Sequence, residues 1–541
     1  MSGETEHSPT CEPNAIHSTT DWIGTDDPDN PRNFSRGTRV YSTVSVTVLA
    51  FVTAFAASIY SPGVDGVSAE FGVSRSVAVL PLSLYNLGLA AGPMLGSPLS
   101  ETYGRKIVLL VTTPGFMAFT LGAALAGDIV SLTVCRFFAG VCAAPAVGNA
   151  SASICDYTSG SKRAVSMAFY YAVPTFGASL GPLGMRLKAE MLSWIHADNF
   201  TVRLPSKSNL PPLPPDRVAH WPTTKREAMN ASSVILTLCS QVGGFVVQTR
   251  DWRWTQWVVL ICAGGCYLPI LFTRETYKKT ILQRRAKKAG ILETAKEDKT
   301  WLQHVNYFAT TLLIRPVHML FTEPIVGFVC LYNGFIFGLM YTFIITLPWV
   351  YQHYYDFNTT GVNLSFLGLI IGTVIVPCPL ILIDQYFYQP RLRAFDEVSS
   401  PGTQYPPEHC LYPAMLGSIG LPASLFIFAW TTRPAIHWIC PMFFQGMTML
   451  CNLMVYAPAN LYMIDAYGPL YGASAAGAAM LSRYTFSAAF PLFALQLYKG
   501  LGVGWATSIL GFCALLLAPV PFLFFRYGEW LRSRSKYERS T

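Results

Sequence analysis

Two arginines stand inside stretches that are otherwise apolar: Arg136 in "CRFFAGVCAAPAVGNA" and Arg483 in "LSRYTFSAAF". A guanidinium is permanently charged and presents a planar fork of donors. Held at membrane depth, it is expensive, and its uses there are ion pairing, proton-linked gating or anion binding. For Arg136 the expectation is a functional charge within its run, against simple snorkelling to the outer interface. For Arg483 it is partnership with a carboxylate or a substrate anion, against a structural bond between helices. A third set lies in "GSPLSETYGRK", where Glu101 precedes Arg105 and Lys106. An acid and a base across a tight turn form an ion pair that breaks when their helices separate; topogenic charge is the plainer reading. Asn86, Tyr341 and Gln445 are polar groups within apolar runs, either lining a path or satisfied in packing. Asp465 closes the tenth run. No His/Asp/Glu cluster, nucleophile elbow or phosphate loop is present, so an enzyme is not expected. The 13 cysteines lie mostly in apolar runs without C-x-x-C spacing and read as small packing residues, so neither metal nor cofactor is expected.

The elements that must carry these residues follow from composition. Apolar residues make up 52% of the 541 and charged residues 13%, too few charges for a soluble surface. About 20 apolar residues cross a bilayer as a helix. Such runs occur at Tyr41–Tyr60, Ser76–Leu99, Ile107–Gly127, Ile129–Ile154, Ala164–Leu183 and Trp254–Phe272. Six more follow at Ile325–Trp349, Gly361–Ile383, Leu411–Trp430, Ala435–Ala457, Ala473–Leu497 and Val503–Phe525. The expected fold is an all-α polytopic membrane protein of twelve helices in two six-helix halves, 41–272 and 324–525. Residues 1–40 read as a polar cytosolic tail, 273–323 as a cytosolic linker whose basic run faces anionic lipid, and 526–541 as a basic cytosolic tail. With both ends inside, inner segments hold 24 Lys/Arg and outer ones 5, leaving 184–241 aside, which satisfies the positive-inside rule. The net charge of +8 is therefore topological, and no nucleic-acid partner is expected. Two such halves rocking about a central site are a transporter architecture. A receptor or scaffold would need neither the acid/base loop nor the two intramembrane arginines.

The loop after the second run resembles the signature loop of the major facilitator superfamily, with Ser97 in place of its first glycine, Glu101 for its aspartate, and Gly104, Arg105 and Lys106 matching. "RFFAG" is similar to its second motif, which implies a proton-transfer role for Arg136. Further matches are "NPRNFSRGTRVY", "IYSPGV", "DWRWTQW", "RETY", "TEPIV", "YMIDAYG" and "RYTFSAAFPLFALQLYKGLGVGWATSIL". In this order they resemble the fungal twelve-span drug:proton antiporter branch. That resemblance implies a plasma-membrane, multi-pass, monomeric transporter of the multidrug-resistance type that exports small organic compounds (drug, toxin or secondary metabolite) by proton antiport. Its partners would be substrate, protons and the bilayer. A proton-coupled or facilitative importer is the alternative.

The exporter motif on the fifth run is interrupted. Gly177, Gly181 and Pro182 fit it, after which the chain departs until "VGG", with Gly243 and Gly244. Joining Leu183 to Val242 rebuilds "GASLGPLVGG". Residues 184–241 are either an extracellular loop with sequons at Asn199 and Asn230 or an intron translated in frame. The second is expected, because the insert cuts a helix and insertions are tolerated in exposed loops; the chain as written would then be a transport-inactive mis-spliced product. Asn358, between the seventh and eighth runs, is the glycosylation candidate.

Overall fold

The computed structural model describes residue 22 and residues 26–158, 160–183, 251–288, 314–398, 405–535 and 537. Among these the chain is helical, with no strand. In lipid each backbone N–H and C=O must bond within its own segment, and the apolar runs allow only a helix to do so. The helices are α1 (Arg36–Ser58), α2 (Arg75–Tyr103), α3 (Arg105–Ala124), α4 (Ile129–Tyr157), α5 (Gly160–Leu183), α6 (Trp254–Leu271) and α7 (Pro324–Tyr355). Then come α8 (Leu367–Phe395) and α9 (Tyr412–Thr431). The stretch Ile439–Leu517 is broken at Gly468 and Gly502, both at positive φ, into α10 (439–467), α11 (469–501) and α12 (503–517).

By length and composition, 9 helical segments among the described residues can cross a membrane, fewer than the expected twelve. The runs Ser76–Leu99 and Ala164–Leu183 fall in α2 and α5, outside those nine, and the last two runs share one segment, Ser474–Ser533. The rebuilt-motif glycines Gly243 and Gly244, the insert 184–241 with its sequons, and the side chains of Ser97 and Glu101 lie outside the described residues.

Local chemistry starts the helices. Ser35 Oγ accepts Thr38 N–H for α1, and Ser74 Oγ accepts Val77 N–H for α2. Asp128 Oδ2 accepts Val130 and Ser131 N–H at 3.0 Å for α4. The Ser131 hydroxyl and N–H, with Val130, hold the Asp128 carboxyl below its usual range. The cap therefore stays charged above the ordinary carboxylate pKa and is lost only as pH falls through that lowered value.

The packing is inverted relative to a water-soluble protein. Leu516 is 81% exposed and Phe321 82%, whereas Asn333 and Gln445 are 0% exposed. Small residues let backbones approach without a hydrophobic drive. Gly88, Gly92 and Gly96 form a strip along α2, facing Phe137, Val141, Ala144 and Pro145 of α4. A Cβ on Gly88 would collide with Phe137 O. In the second half Gly368 and Gly372 of α8 meet Met442 and Gly446 of α10 in the same way. The halves touch through α2 and α11, where Asn86 Nδ2 donates to Ser487 O at 3.4 Å and Gln496 Nε2 to Ser76 Oγ at 3.0 Å. They also touch through α5 and α10, where the Tyr171 and Tyr456 rings stand 5.0 Å apart edge to face.

Candidate functional site

Arg136, 1% exposed, lies near the start of α4, the end that the charge asymmetry places outside. Its Nη1 and Nη2 donate to Ala56 O at 3.0 and 3.1 Å, and Nη1 also donates to Gln256 Oε1 at 3.2 Å. The guanidinium stands over the Tyr85 and Tyr60 rings, 4.6 and 5.1 Å from their centroids. No carboxylate pairs with it among the described residues. Ala56 O is one of the last carbonyls of α1, which ends at Ser58. Carbonyls at a helix C-terminus are left without intrahelical donors and carry the negative end of the macrodipole. Arg136 compensates that end and ties α1, α4 and α6 together.

The same end of α1 receives α5. A Cβ on Gly177 would stand 2.8 Å from Phe51 O, and one on Gly181 would collide with Ser58 Oγ and stand 2.7 Å from Ile59 N. Pro182 lies in the last turn of α5. The small residues of the interrupted motif thus form the seam between α1 and α5.

The loop joining α2 to α3 is one residue, Gly104, at φ +101°; a side chain there would be strained and would strike Glu275 Oε2. Arg105 forms a side-on bidentate pair with Asp156 at the inner end of α4: Nε to Oδ2 at 2.6 Å and Nη2 to Oδ1 at 3.2 Å. Glu275, beyond α6, accepts Arg105 N–H at 2.9 Å and Lys106 N–H at 3.1 Å. A carboxylate thereby caps the N-terminus of α3, where the dipole favours it. Lys106 Nζ donates to Leu271 O at 2.9 Å, at the last turn of α6. Three inner helix ends are locked together by these contacts. Asp156 and Glu275 were not among the site residues read from sequence; the signal was an acid in "CDYTSG" and "RETY" just beyond the inner end of an apolar run.

At the centre, Asn86 of α2 and Tyr341 of α7 are buried within hydrogen-bonding reach of each other. Arg483 of α11, 5% exposed, stands over the Tyr484, Phe337 and Tyr456 rings at 4.3, 4.7 and 5.5 Å. Its Nη1 donates to Tyr456 OH. Gln445 is not brought into this cluster: its Nε2 donates to Ser365 O at 3.0 Å and its Oε1 accepts from Tyr351 OH, tying α10 to the segments around it. Below the centre, a cavity of about 200 Å³ opens between the inner ends of α5, α8, α9 and α10, lined by Tyr171, Asp384, Tyr388, His409, Pro458 and Asp465 among others. Asp465 therefore faces a cavity. Asn358 is exposed, and its Oδ1 accepts Gly361 N–H at 2.8 Å.

Outside the helices, Asp27 and Asp29 clamp Arg285 of the basic segment Lys278–Lys288 at 2.9 and 2.7 Å. The hydrogen bonds that it donates to Asp27, then to Asp29, hold that guanidinium's pKa above its usual value. The residues before α1 thus dock on the segment after α6.

A helical bundle with charges locking its helix ends, two arginines at membrane depth and a cavity between its halves is matched by known proteins. The Major Facilitator Superfamily profile matches residues 46–197 and 228–491; the unmatched residues between fall within 184–241. The MFS transporter prlG of Fungal sp. (strain NRRL 50135) is 32% identical over 525 residues, covering 95% of this chain and 96% of that protein. Efflux pump FUB11 of Gibberella moniliformis is 32% identical over 519 residues, covering 95% and 76%. Among solved structures, the proton:xylose symporter XylE matches with a TM-score of 0.56 at 15% identity, over 91% of this chain and 96% of that one. A peptide transporter POT matches at 0.53 and 12%, over 93% and 98%. At such identities the solved structures show the fold alone. The chain belongs to the Major Facilitator Superfamily and is a multi-pass membrane transporter of small compounds.

Proposed function

We propose that the protein exports small organic compounds, with inward proton movement as the driving force. The observation that carries export is the α1–α5 seam: Gly177 and Gly181 lie against Phe51 and Ser58 at the outer ends, while the cavity opens at the inner ends of α5, α8, α9 and α10. A substrate then enters from the side that the basic loops mark as cytosolic and is released when the seam opens. In this reading Arg136 couples the proton to the outer closure, because it holds the end of α1 that α5 packs on. The Arg105–Asp156–Glu275 lock holds the inner ends and must break as the halves rock. The transporter works as a monomer in the plasma membrane, with both tails in the cytosol and Asn358 glycosylated outside.

Export and import separate in intact cells. Metabolite profiling of cells lacking the protein should show at least one small organic compound accumulating inside and falling in the medium. Depletion of a compound inside the cell instead would establish an importer.

A further inference from the structure

We propose that Arg483 is an anion subsite, and that the transported compounds are amphipathic carboxylic acids carried as monoanions. The inference rests on the export reading for its route and on the geometry of one side chain for its chemistry.

The two intramembrane arginines are treated differently by their surroundings. Arg136 spends both Nη groups on a helix-end carbonyl and an amide and leaves only Nε without a partner among the described residues, so no two-donor edge is open. Arg483 spends only Nη1, on the Tyr456 hydroxyl; its Nε and Nη2 are buried without a hydrogen-bond partner among the described residues. Those two atoms share one edge of the guanidinium. It is the edge with which Arg105 grips Asp156, Nε to one carboxylate oxygen and Nη2 to the other. No described residue offers Arg483 a carboxylate. Buried donors left unpaired are costly, and a buried charge more so. Three aromatic faces at 4.3 to 5.5 Å compensate part of the charge but accept no N–H in the plane of the fork.

Access and shape follow from the neighbours. Tyr456, which takes the Arg483 bond, meets Tyr171 ring to ring at 5.0 Å, and Tyr171 lines the inner cavity. Arg483 thus lies one aromatic layer behind the cavity wall, and rotation of Tyr171 or Tyr456 connects the two. A carboxylate would take the Nε/Nη2 edge while an apolar or aromatic body packs among Phe337, Tyr456 and Tyr171. A dianion would bury a second charge without a partner, and a strongly hydrated small anion would lack the apolar contact.

The test is binding by the purified full-length protein in nanodiscs, read by ligand fluorescence. The probes are 11-(dansylamino)undecanoic acid, naphthaleneacetic acid and 1-pyrenebutyric acid, each beside its primary amide. In the wild type at least one acid should bind about tenfold or more tighter than its amide, as a charge-assisted bidentate contact requires. Arg483→Gln should abolish that preference with amide binding unchanged, and Arg483→Lys, which keeps charge but not the fork, should keep only part of it. If every acid and amide bind alike in the wild type, or neither binds, or Arg483→Gln retains the preference, the proposal is overturned. The wild-type comparison decides even if a variant fails to fold. An acid preference in a protein that exports nothing would sink the export reading and leave the subsite; export without an acid preference would do the reverse.

Discussion

At the scale of single residues, the charges in the membrane were legible and their partners were not. Arg136 and Arg483 stand out in any apolar run. The acceptor for Arg136 is a backbone carbonyl 80 residues away, and nothing in the identity of Ala56 marks it. Which atoms of Arg483 are unpaired depends on three helices meeting. Among the proposed path residues the same rule separated Asn86 and Tyr341, which meet across the halves, from Gln445, which ties α10 to Ser365. The account predicts that Arg136→Ala leaves Ala56 O and Gln256 without their donor, lowers stability by about 2 kcal/mol and removes proton-driven efflux from protein that still reaches the membrane. Melting of the purified variant and efflux under an imposed pH gradient read the two effects separately. Efflux equal to wild type would remove Arg136 from the coupling.

At the scale of elements, the runs located the helices because hydropathy and backbone bonding act over about 20 residues. How the helices approach was legible only at Gly177 and Gly181, which recur at four-residue spacing; Gly88, Gly92 and Gly96 carry the same spacing, and their packing came only with the structure. Acids beyond the inner helix ends, Asp156 and Glu275, were visible as residues but not as partners of Arg105 and Lys106, because their meeting depends on three helix ends converging. A Gly181→Val substitution should cost about 1–3 kcal/mol by overpacking the α1–α5 seam and slow export, whereas Gly37→Val, with nothing near its Cβ, should change neither. Equal effects at both sites would contradict the seam. The interruption after Leu183 makes its own prediction: sequencing of messenger RNA across the junction should show Leu183 joined directly to Val242, completing the helix with Gly243 and Gly244. A main transcript that retains codons 184–241 would place the insert in the working protein.

At the scale of the whole molecule, composition and charge asymmetry identified a polytopic membrane protein, because both report bulk partition between water and lipid. They say nothing of which side is open, which depends on how two halves rest on each other. Here Gln496 meets Ser76 at the helix ends that the charge asymmetry assigns to the outside, and the cavity lies at the opposite ends. A cysteine placed at Leu461, in the cavity wall, should therefore react with a membrane-impermeant thiol reagent applied to the inner face and not the outer, in protein whose other exposed cysteines are replaced; labelling only from outside would invert the topology. The central claim, export coupled to protons, is tested most directly in proteoliposomes with a pH-sensitive dye inside and a pH gradient imposed. Addition of a compound identified by profiling to the face carrying the inner cavity should start proton movement in the opposite direction to the compound, in fixed ratio to it and absent in Arg136→Ala. Compound movement with no proton flux, or with protons travelling in the same direction, would contradict the account.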